Sequence, residues 1–259
     1  MGSPYPAAAL VTLALATAAC RTAAPRPAIA AELAACVPSD TRVLAGVHLD
    51  TLRANPGFQH LSRGWAGLLE PVRDASEVLV AYNGRELLVI ARGQFRSAPA
   101  GARLLTPQLA VAGGDAAVRA ATAQRATGRS GAPALVALAD AVAAQSVWAV
   151  ESGGGSLPLR GNSVNLNRLL AFTDHATFAA ELNSAVTLHA AGICRSANAA
   201  RHLEETLRGL LSIAAATVRD RDLAAWLAAV QVHRDELTVR ADVSGSVEAV
   251  TKLFSLAAR

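Results

Sequence analysis

Lysine is almost absent from this chain: among 24 basic residues the only lysine is Lys252, and the others are arginines. Those arginines run from Arg21 to Arg259, mostly near acids. A nucleic-acid surface needs them gathered into a stripe beside stacking aromatics, and aromatics make up only 4% of the chain. The formal charge of +4 and the pI near 9.5 therefore read as an arginine-rich coding background, with no nucleic-acid partner. Scarce aromatics also argue against a carbohydrate-stacking surface. Three cysteines are too few for a disulfide-stapled miniprotein. No apolar run approaches the roughly 20 residues of a membrane-spanning helix. HExxH, CxxC, GxSxG and the phosphate-loop GK[ST] are all missing. What the chain does have is 52% hydrophobic against 17% charged residues over 259 positions, which excludes disorder and suffices for one large or two modest domains.

The run at positions 7–19, AAALVTLALATAA, has the length of a signal-peptide apolar region and is too short to span a bilayer. Ala18 and Ala19 before Cys20 resemble the lipobox of bacterial lipoproteins, with Thr17 where an aliphatic is usual and no Lys or Arg in MGSPYP. The resemblance implies that Cys20 is acylated and becomes the first residue of an exported, membrane-anchored protein facing the periplasm. A soluble periplasmic product cleaved after Ala18 or Ala19 is the alternative. Pro25 and Pro27 then read as a tether, giving a signal peptide at 1–19 and a lipid-anchor tether at 20–38. Cys36 and Cys194 remain, either paired in an oxidising compartment or buried as separate thiols.

From position 39 the pattern is that of a folded domain. Arg42–Leu49 reads as a strand and Asp50 as the cap of a helix that stops at Asn55-Pro56. Phe58, Leu61, Trp65, Leu68 and Leu69 fall at helical spacing, a core stripe. Asn83-Gly84 between apolar runs, Glu77–Tyr82 and Arg85–Arg92, predicts a hairpin with a two-residue turn. A loop at 98–102, a strand at Gln108–Ala112, a helix capped by Asp115, a second helix at Ala134–Ala144 and a strand at Ser146–Glu151 follow.

Beyond it come a flexible connection at Gly153-Gly154-Gly155, a strand at Ala185–Ala191 and a long amphipathic helix, Ala197–Val218. A helix at Leu223–Ala229 leads to a hairpin turning at Arg234-Asp235, and the chain closes on a helix, Ser246–Ala258. In that hairpin Val232, Val239, Ala241 and Val243 alternate with Gln231, His233, Arg240 and Asp242, one dry face and one wet. Glu86-Leu87-x-Val89-x-Ala91 matches Glu236-Leu237-x-Val239-x-Ala241, which suggests an internal duplication of a β-α-β-β unit. The expected fold is thus α+β: two similar lobes, 39–150 and 151–259, each a mostly antiparallel sheet with helices on one face.

The chemistry-bearing residues are dispersed. The histidines are isolated, and no local spacing suits a metal ion or cofactor. Arg195 next to Cys194 could lower that thiol's pKa. Asp220 and Asp222 read as a charged turn between helices. An enzyme would need groups that converge only in three dimensions, around His189, His202 and Asp235.

The phrase Val37-Pro38-x-Asp40-Thr41 through Leu52-Arg53, with a later Gly113-Gly114-Asp115 strand-helix phrase, resembles poorly characterised bacterial exported proteins. The resemblance implies a fold set by turns and caps and no activity. The expectation is a non-enzymatic cell-envelope lipoprotein binding a protein partner or a lipid-like apolar ligand. The alternatives are an exported hydrolase-like enzyme and a structural scaffold.

Overall fold

A computed structural model describes residues 29–55, 58–59, 70–153, 163–182 and 185–247. The leader, Cys20, most of the tether, the stripe from Leu61 to Leu69 and nearly all of the closing helix lie outside them. The ten strands are β1 (Val43–His48), β2 (Ala75–Tyr82), β3 (Leu87–Gly93), β4 (Ala102–Thr106), β5 (Leu109–Gly113), β6 (Val147–Glu151), β7 (Thr173–Leu182), β8 (Val186–Cys194), β9 (Gln231–Asp235) and β10 (Thr238–Gly245). The helices are α1 (Ala31–Ala34), α2 (Leu49–Arg53), α3 (Asp115–Ala126), α4 (Pro133–Ala139), α5 (Ser163–Leu170), α6 (Ala197–Thr217) and α7 (Arg221–Ala228).

All ten strands form one sheet in the order β4-β5-β3-β2-β1-β6-β7-β8-β10-β9. Every neighbouring pair is antiparallel, so the fold is α+β, as the alternation in sequence leads one to expect. The two halves meet where β1 pairs with β6, centred on Ala45 opposite Ala149. Read outward from this seam, the order is 1-2-3-5-4 on one side and 6-7-8-10-9 on the other. Residue 150, where two lobes were expected to divide, lies inside β6, and the sheet continues across it. The Glu-Leu-x-Val-x-Ala match joins β3 to β10, which hold different places in the two halves. That phrase therefore marks no equivalent positions.

The register assigns each side chain to a face. On the back face Leu44, Leu79, Ile90, Val111, Trp148 and Val150 form the largest core with Leu33 and Cys36 near α1, Ala117 and Ala121 of α3, and Leu135 and Ala139 of α4. On the front face of the second half, Val186 and Val243 pack against Leu223 and Trp226 of α7. Cys194, Val232 and Val239 pack there against Ala200 and Leu203 of α6. Each half thus carries its long helices on one face, but on opposite faces of the shared sheet. In the first half the front face holds Val78, Ala91 and Ala110 under Leu49 of α2 and Phe95.

Turns and caps depart in detail from the expectations. The first hairpin pairs Tyr82 with Leu87, so its loop has four residues, not two. Asn83 keeps a negative φ, and its side-chain oxygen accepts from the amides of Arg85 and Glu86, while Gly84 alone takes φ +99°. In the second hairpin the turn sits at Glu236-Leu237, with Glu236 at φ +46°, because the paired alternation runs on through Asp235. Asp115 and Asp50 lie inside the first turns of α3 and α2, and neither is the cap; Gly114 and His48 stand there. Asp220 does cap α7, its carboxylate accepting from the amide of Leu223 at 3.0 Å.

Candidate functional site

One row of side chains crosses the front face of the whole sheet. In register from edge to edge it reads Ala102, Ala112, Val89, Val80, Ala45, Ala149, Phe178, Ala190, Ala241 and Val232. It contains no polar group. Val47, Val147 and Leu188 border it on one side, and Val43, Tyr82, Leu87 and the buried Glu151 on the other. Near its middle the row is open: Phe178 is 38% exposed, Ala190 is exposed, and Ala45 and Ala149 are half-buried. Towards its ends the row is covered, Val232 and Ala241 under α6 and Val80 and Val89 against the Val78 cluster. The open part is therefore an apolar patch around Phe178 and Ala190, the kind of surface that marks a contact site.

The back face carries a polar counterpart at one end of the strands. Arg92, Glu77 and His48 stand side by side in register, as do Glu181, Thr187 and Ser244, and Ser146 joins the two groups, its carbonyl accepting from the His48 amide at 2.9 Å. Arg92 donates to Glu77 at 2.8 Å, and the Glu77 side chain is 3% exposed. His48 Nε2 donates to the carbonyl of Ala143 at 2.7 Å, and its Nδ1 lies 4.0 Å from Glu77. Ser146 Oγ donates to Glu181 at 2.9 Å. A serine nucleophile needs an imidazole nitrogen to take its proton. Here the Ser146 hydroxyl faces a carboxylate, and the His48 nitrogens face a carbonyl and another carboxylate. These contacts tie strands to one another and to the segment after α4. Sequence reasoning left His48 isolated and passed over the others, because they come from different strands and only the register aligns them.

The residues singled out in sequence do not converge. His189 points from the back face, opposite the side covered by α6, and pairs with Asp242 at 2.5 Å. His202 on α6 stacks on Phe172 with ring centroids 6.3 Å apart. Asp235 ends the edge strand β9. The sheet itself separates His189 from His202, so the constellation imagined for a hydrolase is not formed. Cys36 and Cys194 are both free and buried, one in the back-face core and one in the front-face core, which corrects the possible disulfide. Burial pushes the Cys36 thiol up to about 11, against the opposing pull of Arg125. Burial also raises the Cys194 thiol, and Asp174 adds to the effect. Arg195, expected to lower it, is instead paired with Asp174 at 3.3 Å.

The Val37-Pro38-x-Asp40-Thr41 phrase is a corner. Thr41 Oγ donates to the carbonyl of Pro38 at 2.8 Å, and Asp40 accepts from the Asn83 side chain at 2.7 Å, fastening the entry of β1 to the first hairpin loop. Among the described residues no group of three His, Cys, Asp or Glu is placed to hold a metal ion, and no helix is long and apolar enough to cross a membrane.

These features define an α+β protein built on one broad antiparallel sheet with an open apolar strip. In fold the chain is similar to TP0453. Crystal form I of that protein is 11% identical, with a TM-score of 0.50 over 91% of this chain and 98% of that one. Form III is 11% identical, with a TM-score of 0.52 over 85% and 96%. No protein-family model and no curated protein sequence matches the chain. At this identity the likeness concerns the fold alone.

Proposed function

We propose that the protein is a non-enzymatic lipoprotein of the cell envelope that holds an apolar ligand on its front face. Export and acylation at Cys20 rest on the apolar leader and on Ala18-Ala19-Cys20. Ligand binding rests on one observation, the uninterrupted apolar strip with Phe178 exposed at its middle.

The test is titration of the purified full chain with cis-parinaric acid, whose fluorescence rises in apolar surroundings. Saturable binding is expected. Phe178→Asp should weaken it about tenfold or more, since the variant both removes an apolar contact and sets an unpaired charge against the ligand. Phe178 is partly covered and Asp is a poor strand former, so the variant should also lose about 1–2 kcal/mol of stability, and melting curves verify that it is folded in the assay. Absence of saturable binding, or equal binding by the variant, would rule the reading out and leave a scaffold or a protein-docking face. Anchoring has its own assay: labelled palmitate should enter the wild-type chain and not Cys20→Ser.

A further inference from the structure

The N-terminal half has a cleft of about 820 Å³ at the ends of β2, β3, β4 and β5. Two irregularities of register border it. Ser76 bulges between the pairs Ala75–Gly93 and Glu77–Arg92, and Leu105 bulges between Leu104 and Thr106. Pairing resumes beyond both, and bulges of this kind bend the strand that carries them and re-aim its side chains. Four arginines from four separate segments line the space: Arg53, Arg73, Arg92 and Arg125.

Two of these arginines lie deeper than an acid beside them, while Arg73 is as exposed as its partners Glu70 and Asp74. Arg53 is 37% exposed against 72% for its partner Asp50, and Arg92 is 40% exposed against 53% for Glu32. Arg53 is fixed by donation to the carbonyls of Ala75 at 2.6 Å and Val72 at 2.8 Å. One end of the Arg92 guanidinium is held by buried Glu77, and its Nη1 stands 3.8 Å from Glu32, beyond hydrogen-bond reach. Arg125 is exposed, and its side chain makes no hydrogen bond or ion pair among the described residues. Unspent donors therefore come from Arg92 Nη1 and Arg125 by the back face, and Arg73 adds a guanidinium that it shares with the exposed carboxylates of Glu70 at 2.9 Å and Asp74 at 3.7 Å.

We propose that this cleft binds a phosphate group. A planar carboxylate is best met by one guanidinium fork in its own plane, whereas a tetrahedral oxyanion accepts from several directions at once. The donors here come from several directions. The site is separate from the apolar strip and stands or falls without it.

The test is calorimetric titration of the purified full chain with inorganic phosphate at low ionic strength, where screening is least. Saturable binding is expected, weakened on the order of tenfold by Arg125→Gln. Arg73→Gln should act likewise, and Asp74→Asn should tighten binding by removing an opposing charge at the rim. Wild-type and variant melting curves keep loss of fold apart from loss of binding. Lack of saturable phosphate binding by the wild-type chain, or unchanged affinity in both arginine variants, overturns the proposal. Glycerol 3-phosphate and phosphatidylglycerol vesicles distinguish the source. Displacement of free phosphate by glycerol phosphate supports a soluble phosphoester. Vesicle retention reversed by inorganic phosphate supports a headgroup, and retention indifferent to phosphate counts against the site.

Discussion

Gly46 sits directly beneath the ring of Trp148, its partner across the seam. A Cβ added there would lie 2.2 Å from the indole, and Trp148 is 1% exposed and has nowhere to retreat. Gly46→Ala should therefore destabilise the fold by about 1–3 kcal/mol, the usual penalty for overpacking. Urea denaturation measures this, and a loss below that range would mean that the indole can shift. Nothing in the local sequence marks Gly46, because the constraint comes from a side chain about a hundred positions later. The same holds for Cys36 and Cys194. Their spacing leaves a disulfide open, and only the assignment of each to a different face decides for two separate thiols.

At the scale of elements, α6 is fastened to the edge hairpin by one carboxylate. Glu204 accepts from Arg208 at 3.0 Å and from Arg234 of β9 at 2.9 Å. These hydrogen bonds, the one from Arg234 foremost, hold its carboxyl below the ordinary range. A depressed pKa means that the folded chain binds this proton less readily than the unfolded chain. The contribution is therefore present above the unfolded value and lost as pH falls through the folded one. Glu204→Gln should lower the melting temperature near neutral pH, and the difference from wild type should vanish in acid. A difference that persists unchanged in acid would show that the tie is not ionic.

Elements with a strong local signature were legible: β1, the β2–β3 hairpin, β5, α3, α6, α7 and the dry and wet faces of β10 all fall near their expected places. Two strands were not. β4 is short, half-exposed and flanked by Pro99 and Pro107, which reads as loop. β7 mixes alanines with Asp174, His175 and Glu181, poor strand formers that hold their conformation because β6 and β8 flank them. The apolar strip was equally hidden. Each strand contributes one of its residues, and no window along the chain contains more than a few of them.

For the molecule as a whole, the seam decides what the halves can do alone. The β1–β6 register is symmetric about Ala45 and Ala149, with Val43 opposite Glu151 and Val47 opposite Val147. A fragment of residues 29–145 keeps β2 on one flank of β1 and leaves the other flank bare. An uncovered central edge is a template for further pairing. Such a fragment should dimerise or aggregate through β1, and adding a peptide spanning 146–182 should suppress it, as followed by light scattering. A monodisperse monomer would show that the bare flank is harmless.

That arrangement bears on how the chain must be made. β1 is synthesised early, yet its second neighbour does not exist until a further hundred or so residues have been added. During that interval the nascent protein carries an unsatisfied row of amides and carbonyls flanked by Val43, Leu44 and Val47. A chain delivered unfolded to its destination and released whole would have β6 at hand from the start. A chain folding as it leaves the ribosome would have to wait with its middle strand exposed.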